Sequence, residues 1–319
     1  PAGPPEASEN KMKKLKTVLI ILTIVVLVSI VTFLIMRETM VYQRSVLPGQ
    51  VQIKNPAYAL NRGPVILIDE GHKNFHTAGG RYKPFVQLLT ADGYRFRGAK
   101  EEITPTLLAD VDVLVIANAV EAPAKAEIDV IVQWVKTGKS LLLISDHPPF
   151  ASPIKELSGR FGVDVSSAWA SDPAQEEPDN DRGASWIRYE RAKGALGEHP
   201  ILTGRSSERI DVVVAFTGQS LSSETGTALL KLSDKALDCE TRQEANEGVG
   251  GKSAAGRAQA IALEFGAGRV VVTGEAAMFS AQEVRIYFKT WKMGFNRPGN
   301  DNRRFIFNMM HWLTRALQN

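Results

Sequence analysis

Hydrophobic positions along this chain fall into runs of three kinds. The first, residues 17–36, is twenty positions without a charged side chain. At 1.5 Å rise per residue, a helix of that length spans about 30 Å, the hydrocarbon thickness of a bilayer. The second kind is short, continuous and rich in β-branched residues or Leu: Val65–Ile68, Val111–Ala117 and Ser140–Ile144, each ending in polar groups. Such runs suit strands buried on both faces of a parallel sheet. The third kind has helical spacing. Phe85, Leu88 and Leu89 share a face within 81–91, and Ile128, Ile131, Val132 and Val135 do so within 123–137. Phe305, Met309, Trp312 and Leu313 form the same stripe within 302–317.

Strands alternating with helices at this spacing imply βαβ units and a mostly parallel sheet with right-handed crossovers. Tyr94–Arg97 is expected as a short second strand and Thr104-Pro105 as the start of a short helix. Further strands are expected over 211–216 and 227–232. Segments 258–265 and 269–273, separated by Gly266-Ala267-Gly268, read as a β-hairpin. Two polar excursions interrupt the pattern, near 168–188 and 238–257. Ser171–Arg182 has little to bury and reads as a surface insertion, a candidate lid. The division that follows is a disordered, basic N-terminus (1–16), a transmembrane helix (17–36), a tether (37–62) and one α/β domain (63–319).

Charge sets the expected topology. Lys11, Lys13, Lys14 and Lys16 precede the apolar run, while Arg37, Glu38 and Arg44 follow it. Positive charge stays in the cytoplasm, which puts the N-terminus inside and the main domain outside, in the periplasm. A cleaved signal peptide is the rival reading. Its apolar core is usually about 7–15 residues and ends at an Ala-x-Ala-like site, and Met36-Arg37-Glu38 offers none. A net charge of +3 over 319 residues gives no case for nucleic-acid binding. The single cysteine, Cys239, rules out an intrachain disulfide and a Cys-rich zinc site.

The candidate chemistry sits where the strand runs end. Asp69-Glu70-Gly71-His72 and Ser145-Asp146-His147 supply two carboxylate–imidazole pairs, and Glu275 follows the strand 269–273. In open α/β sheets ligands bind beyond the carboxyl ends of the strands. If the first, third and fourth strands are neighbours, Asp69, Asn118 and Asp146 share one rim. Asp69, His72, Asp146, His147 and Glu275 are the candidate catalytic groups. Glu70, Asn74, His76, Arg81 and Asn118 are candidate ligand contacts, with Arg81 suited to an anionic group. Imidazole plus carboxylate is also a ligand set for zinc, iron or manganese, so Asp69, His72, Asp146 and His147 are the candidate metal ligands. The plainer alternative is that these side chains cap helices and hold loops. Gly250-Gly251-Lys252-Ser253 lacks the first glycine and the preceding strand of a P-loop. Ser145 lacks a Gly-x-Ser-x-Gly elbow. His311 and His199-Pro200 read as structural.

The order of Asp69-Glu70-Gly71-His72, Gly80-Arg81-Tyr82, Asp92-Gly93-Tyr94, Ser140–His147, His199-Pro200-Ile201 and Gly268–Phe279 resembles the class I glutamine amidotransferase-like superfamily. More closely, it resembles the membrane-anchored bacterial proteins of the DUF4350 type. The resemblance spans roughly residues 64–317 and implies a flavodoxin-like α/β sandwich with its pocket at the strand ends. True amidotransferases carry a cysteine just after the strand that here is Ser140–Ile144, where this chain has Ser145-Asp146. Their His-Pro-Glu element would fall near Thr273-Gly274-Glu275, which keeps only the acid. The resemblance therefore implies the fold and the place of the pocket, not glutamine hydrolysis. Two functions are expected to compete. One is an extracytoplasmic, metal-assisted hydrolase; the other is a non-catalytic binding module in an envelope or transporter assembly.

Overall fold

The computed structural model describes residues 6–47, 49, 53–178, 180, 182–205 and 208–317. They divide into two units, Pro1–Gln43 with Glu283–Trp291, and Arg44–Gln282 with Lys292–Asn319.

In the first unit, helix α1 (Glu6–Met40) is longer than the apolar run and takes in residues 6–16, which corrects the disorder expected there; residues 1–5 lie outside the described ones. Its lead-in is built from Lys and Glu, good helix formers, and Lys13 pairs with Glu9 one turn away at 3.2 Å. Within the Glu9–Met36 stretch of α1, the most apolar 18-residue window has a mean hydropathy of 3.3, with no part of that window buried. Thr17 and Thr23 return their hydroxyls to carbonyls one turn back, so neither leaves an unmet polar group on this apolar surface. Among the described residues, α1 is the one helix long and apolar enough to cross a membrane. The expected tether is partly ordered, since α1 continues to Met40 and Val41–Ser45 forms strand β1.

The rest of the chain begins with the expected alternation: β2 (Val65–Asp69), α2 (Lys83–Ala91), β3 (Arg95–Ala99), β4 (Val113–Ala117), α3 (Lys125–Lys136) and β5 (Ser140–Ile144). Next come α4 (Ala151–Arg160), β6 (Asp164–Val165), β7 (Trp169–Ser171), β8 (Trp186–Glu190), α5 (Pro200–Thr203) and β9 (Val212–Phe216). Then follow β10 (Leu221–Ser222), β11 (Thr227–Lys231), β12 (Leu237–Cys239), α6 (Arg242–Glu247) and β13 (Lys252–Ser253). The chain ends with β14 (Ala258–Phe265), β15 (Gly268–Thr273), β16 (Ala281–Ile286), β17 (Lys289–Gly294) and α7 (Asn302–Leu313).

The main sheet has nine strands in the order β3-β2-β4-β5-β15-β14-β10-β6, with β11 also on β14. β3, β2, β4, β5 and β15 run parallel. β14 turns back antiparallel on β15 as the expected hairpin. The side-chain period of two sends alternate residues to opposite faces. Ile66, Ile68, Val115 and Leu142 pack with Phe85 and Leu88 of α2 and with Phe305 and Met309 of α7. Leu67, Leu114, Leu141 and Leu143 pack on the other face with Ile128 and Ile131 of α3 and with Ile154 and Leu157 of α4. Fully burying each such side chain is worth about 1.5–3 kcal/mol. The molecule is thus a mixed α/β protein with helices on both faces of a large, half-parallel sheet.

Two local expectations change. Thr104-Pro105 opens a run of turns, closed by Leu108 N–H on the Thr104 carbonyl, and no helix forms there. The polar insertion is not a solvated lid. Asp172, Gln175 and Glu177 are buried. The Asp172 carboxylate accepts from Ser233 N, Ser233 Oγ and Gln175 Nε2 at 2.6–2.8 Å. Glu177 pairs with Arg297 at 2.8 Å and Arg188 at 3.2 Å. Buried charges survive because each has partners. The two polar excursions also join each other, since β12 pairs with both β7 and β13.

Candidate functional site

β2, β4 and β5 are neighbours, so Asp69, Asn118 and Asp146 do share the carboxyl edge of the sheet. Their partners divide the edge into two clusters.

The first is closed. Asp69 Oδ2 receives His72 Nδ1 at 2.8 Å and Asn74 Nδ2 at 2.9 Å, and Asp69 Oδ1 receives Gly71 N at 3.1 Å. His72 Nε2 meets Glu127 Oε2, on the first turn of α3, at 3.2 Å. Glu127 also accepts from Ile103 N and Ala124 N, each at 2.8 Å. The hydrogen bond to Asp69 raises the His72 pKa to about 9, with Glu127 adding to it against the cost of burial. His72 is therefore an imidazolium bridging two carboxylates. Glu70 accepts from Ala78 N at 2.9 Å and pins the loop that follows.

The second cluster is built on Asp146. Its Oδ1 accepts from His147 N at 2.8 Å, and its Oδ2 lies 3.5 Å from Asn118 Nδ2. Asn118 adopts a left-handed φ of 47° as the chain leaves β4, and its Oδ1 is buried without a partner. Glu275 follows β15, is fully buried, and accepts from Ala277 N at 2.6 Å and Met278 N at 2.8 Å. Burial raises the pKa of both carboxyl groups, and for Glu275 the charge on Asp146 adds to the shift. Like charges in a buried site resist double ionisation, so this pair holds a proton into a higher pH range than free carboxyls do.

His147 is the more open member, its side chain 27% exposed. Its Nδ1 lies 2.8 Å from the Pro148 carbonyl, an acceptor only, so Nδ1 carries the proton. Nε2 faces Asp146 Oδ1 at 3.8 Å. The ring stacks on Trp169 at 4.0 Å and meets Phe150 edge-on at 6.0 Å. Phe75 packs on Phe150 at 5.4 Å, with the Arg81 guanidinium 4.5 Å from the Phe75 ring centre. Arg242 lies 6.0 Å from the Trp169 ring. The result is one imidazole–carboxyl pair beside aromatic and cationic side chains.

Other sequence candidates have structural duties. His76 is buried, stacks on Tyr82 at 4.5 Å, and keeps an unpartnered Nδ1. Burial depresses its pKa to about 3, with the charge on Arg81 adding to the effect. Arg81 donates to Gln282 at 3.0 Å. Asn74 orients Asp69 and accepts from His72 N at 3.0 Å. His311 is locked to Asp92 at 2.6 Å, and His199 caps α5 by accepting from Ile201 N. Ser145 Oγ accepts from Gln219 Nε2 and donates to the Phe150 carbonyl at 3.1 Å, without an imidazole partner. Cys239 is buried and its thiol is pushed up to about 11 by burial.

The expected metal set is corrected by these contacts. Both His72 ring nitrogens and both Asp69 oxygens are engaged inside their own cluster, leaving Asp146 and His147 as a separate pair. Among the described residues, no group of three or more His, Cys, Asp or Glu side chains is arranged to hold a metal ion. Glu127, Phe150, Trp169 and Arg242 were not singled out from sequence. Glu127 carried one signal, an acid on the apolar face of α3. Trp169 and Arg242 lie in the two polar excursions and meet only through tertiary pairing.

An α/β body with polar groups on the carboxyl edge of its parallel strands is the class of fold that geometry defines. No family model matches the chain, and no curated protein matches it. Among solved structures, the chain is similar to the mmIFT52 N-terminal domain, with a TM-score of 0.56 at 16% identity, covering 78% of this chain and 97% of that one. A ThuA-like protein from Bacteroides uniformis ATCC 8492 matches with a TM-score of 0.43 at 13% identity, over 84% of this chain and 95% of that one. An exo-β-1,4-mannosidase, Op5Man5 from Opitutaceae bacterium strain TAV5, matches at 0.35 and 13%, and there the chain spans only 32% of the relative. At these identities the likeness concerns fold alone.

Proposed function

We propose that this chain is a membrane-anchored, amidotransferase-like domain of flavodoxin type that binds a small polar ligand at its Asp146–His147 edge. The observation that carries the reading is the half-open His147, stacked on Trp169 at 4.0 Å with its Nε2 3.8 Å from the buried Asp146 carboxylate. A ligand there stacks on the aromatic rim, bonds His147 Nε2 or Asp146, and directs an anionic group to Arg81 or Arg242. The nucleophiles an amidotransferase or serine hydrolase needs are missing from this edge. Ser145 has no adjacent base, and Cys239 is buried with a raised pKa. The single apolar helix anchors the chain, with its Lys-rich end in the cytoplasm and the α/β body outside, beside an envelope or transporter partner.

Ligand-observed NMR with a metabolite library, on the full chain in detergent micelles, tests this. Hits should weaken at least tenfold in both His147→Ala and Trp169→Ala. Hits indifferent to both substitutions would remove the proposed edge site.

One observation favours a second reading, a hydrolase that activates water. A carboxyl group that burial keeps protonated to higher pH, next to an imidazole whose Nε2 lies 3.8 Å from it, has the parts of a general acid and base. Turnover of p-nitrophenyl acetate or p-nitrophenyl phosphate that disappears in Asp146→Asn would favour it. No turnover, with ligand binding retained, favours the binding module.

A further inference from the structure

The turn between β16 and β17 breaks local rules. Two-residue hairpin turns favour Asn, Asp and Gly, which tolerate positive φ. Here the two central residues are Tyr287 and Phe288, and Tyr287 sits at a φ of 54°. A bulky side chain there is an outlier. Neither ring is repaid by burial inside the protein, since Tyr287 is 61% and Phe288 88% exposed. Basic residues flank the turn: Arg285 before it, and Lys289 and Lys292 after it, with Trp291 between them.

This tip belongs to the same unit as α1. The Tyr287 N–H donates to the carbonyl of Met40, the last residue of α1, at 2.6 Å, and Tyr42 Oη donates to Glu283 at 2.6 Å. The apolar stretch of α1 ends at Met36, four residues earlier. Four residues of helix rise about 6 Å, a distance that fits within the polar layer flanking the hydrocarbon core. Aromatic rings with a polar edge gather in that layer, and Lys and Arg reach from it to lipid phosphates.

We infer that the Tyr287-Phe288 tip is a second membrane contact. It inserts its rings at the headgroup–acyl boundary beside the end of α1, with Arg285 and Lys289 meeting anionic headgroups. This rests on the anchor reading of α1 and adds a lipid-facing surface on the folded part of the chain.

The test uses the full chain in nanodiscs holding one copy each, made of phosphatidylcholine with or without phosphatidylglycerol. In a Cys239→Ser background, nitroxide labels are placed at Phe288→Cys, Val26→Cys and Glu156→Cys. Oxygen and a water-soluble nickel chelate then report depth by power saturation. Position 288 should read between 26 and 156, shielded from nickel, and more deeply shielded when phosphatidylglycerol is present. A label at 288 as aqueous as that at 156, or as deep as that at 26, overturns the inference while the anchor stands. An aqueous label at 26 overturns the anchor itself, and the tip contact with it.

Discussion

His72 and His76 stand four residues apart and shift in opposite directions, because one gained carboxylate partners and the other gained burial beside the Arg81 charge. His72 titrates near 9 when folded, above its ordinary 6.5. Its contribution is therefore complete below about pH 6.5 and is lost as pH rises through 9. His76 titrates near 3 when folded, so its contribution holds above 6.5 and is lost as pH falls toward 3. Chemical denaturation across pH should show both limbs. His72→Gln should cost about 1–2 kcal/mol at pH 6, allowing for solvent screening at the rim, and little at pH 10. His76→Phe should flatten the acid limb between pH 7 and pH 5. Asp146→Asn relieves repulsion from Glu275, and the Asn118 amide can turn its unpartnered Oδ1 toward the new amide. The variant should gain roughly 1 kcal/mol at pH 8, gain less at pH 5, and lose ligand binding, the trade expected of a site held under electrostatic load.

At the scale of elements, the site depends on how closely β15 approaches the α3–β5 connection. β15 carries the chain to Glu275 and pairs in parallel with β5, which leads to Asp146. Its first residue, Gly268, leaves no room: a Cβ there would lie 2.0 Å from the Val135 carbonyl oxygen and 2.4 Å from that of Lys139. Both obstacles are backbone and cannot swing aside. Gly268→Ala should therefore lower stability by about 2–3 kcal/mol or more in urea denaturation. Gly79→Ala, where nothing lies within 4 Å and φ is ordinary, should change it by less than about 0.5 kcal/mol.

For the whole molecule, the apolar surface of α1 is the largest unresolved cost in water. Placing charge in its middle tests what covers it. Each Lys or Arg at the centre of a spanning helix costs about 2.5–3.5 kcal/mol of insertion. The full chain bearing Ile24→Lys and Val28→Lys should move from the membrane pellet to the alkaline-carbonate supernatant. Retention in the pellet would indicate that other surfaces hold the chain there.

Legibility followed the range of the interactions. The three buried strands, the helices over 83–91, 125–136 and 302–313, and the 258–273 hairpin were readable because period and punctuation are local. The helix over 6–40 was readable only in its apolar part; the polar lead-in over 6–16 read as disordered, because propensity alone does not show that a neighbouring apolar helix will propagate into it. The pairing of 169–171 with 237–239 was not readable, because burial of Asp172 and Glu177 depends on partners about 60 and 120 residues away. Composition alone made that stretch look solvated.

Sequence by itself determined that acids and imidazoles stand at the ends of buried parallel strands, since a continuous apolar run followed by polar residues allows little else. Only the tertiary structure decided which of them act together. Strand order put Glu127 against His72 and so closed the first pair, while Trp169 and Glu275 came from distant segments to frame His147 and Asp146. Ionisation and access depend on those neighbours in space, and no spacing along the chain encodes them.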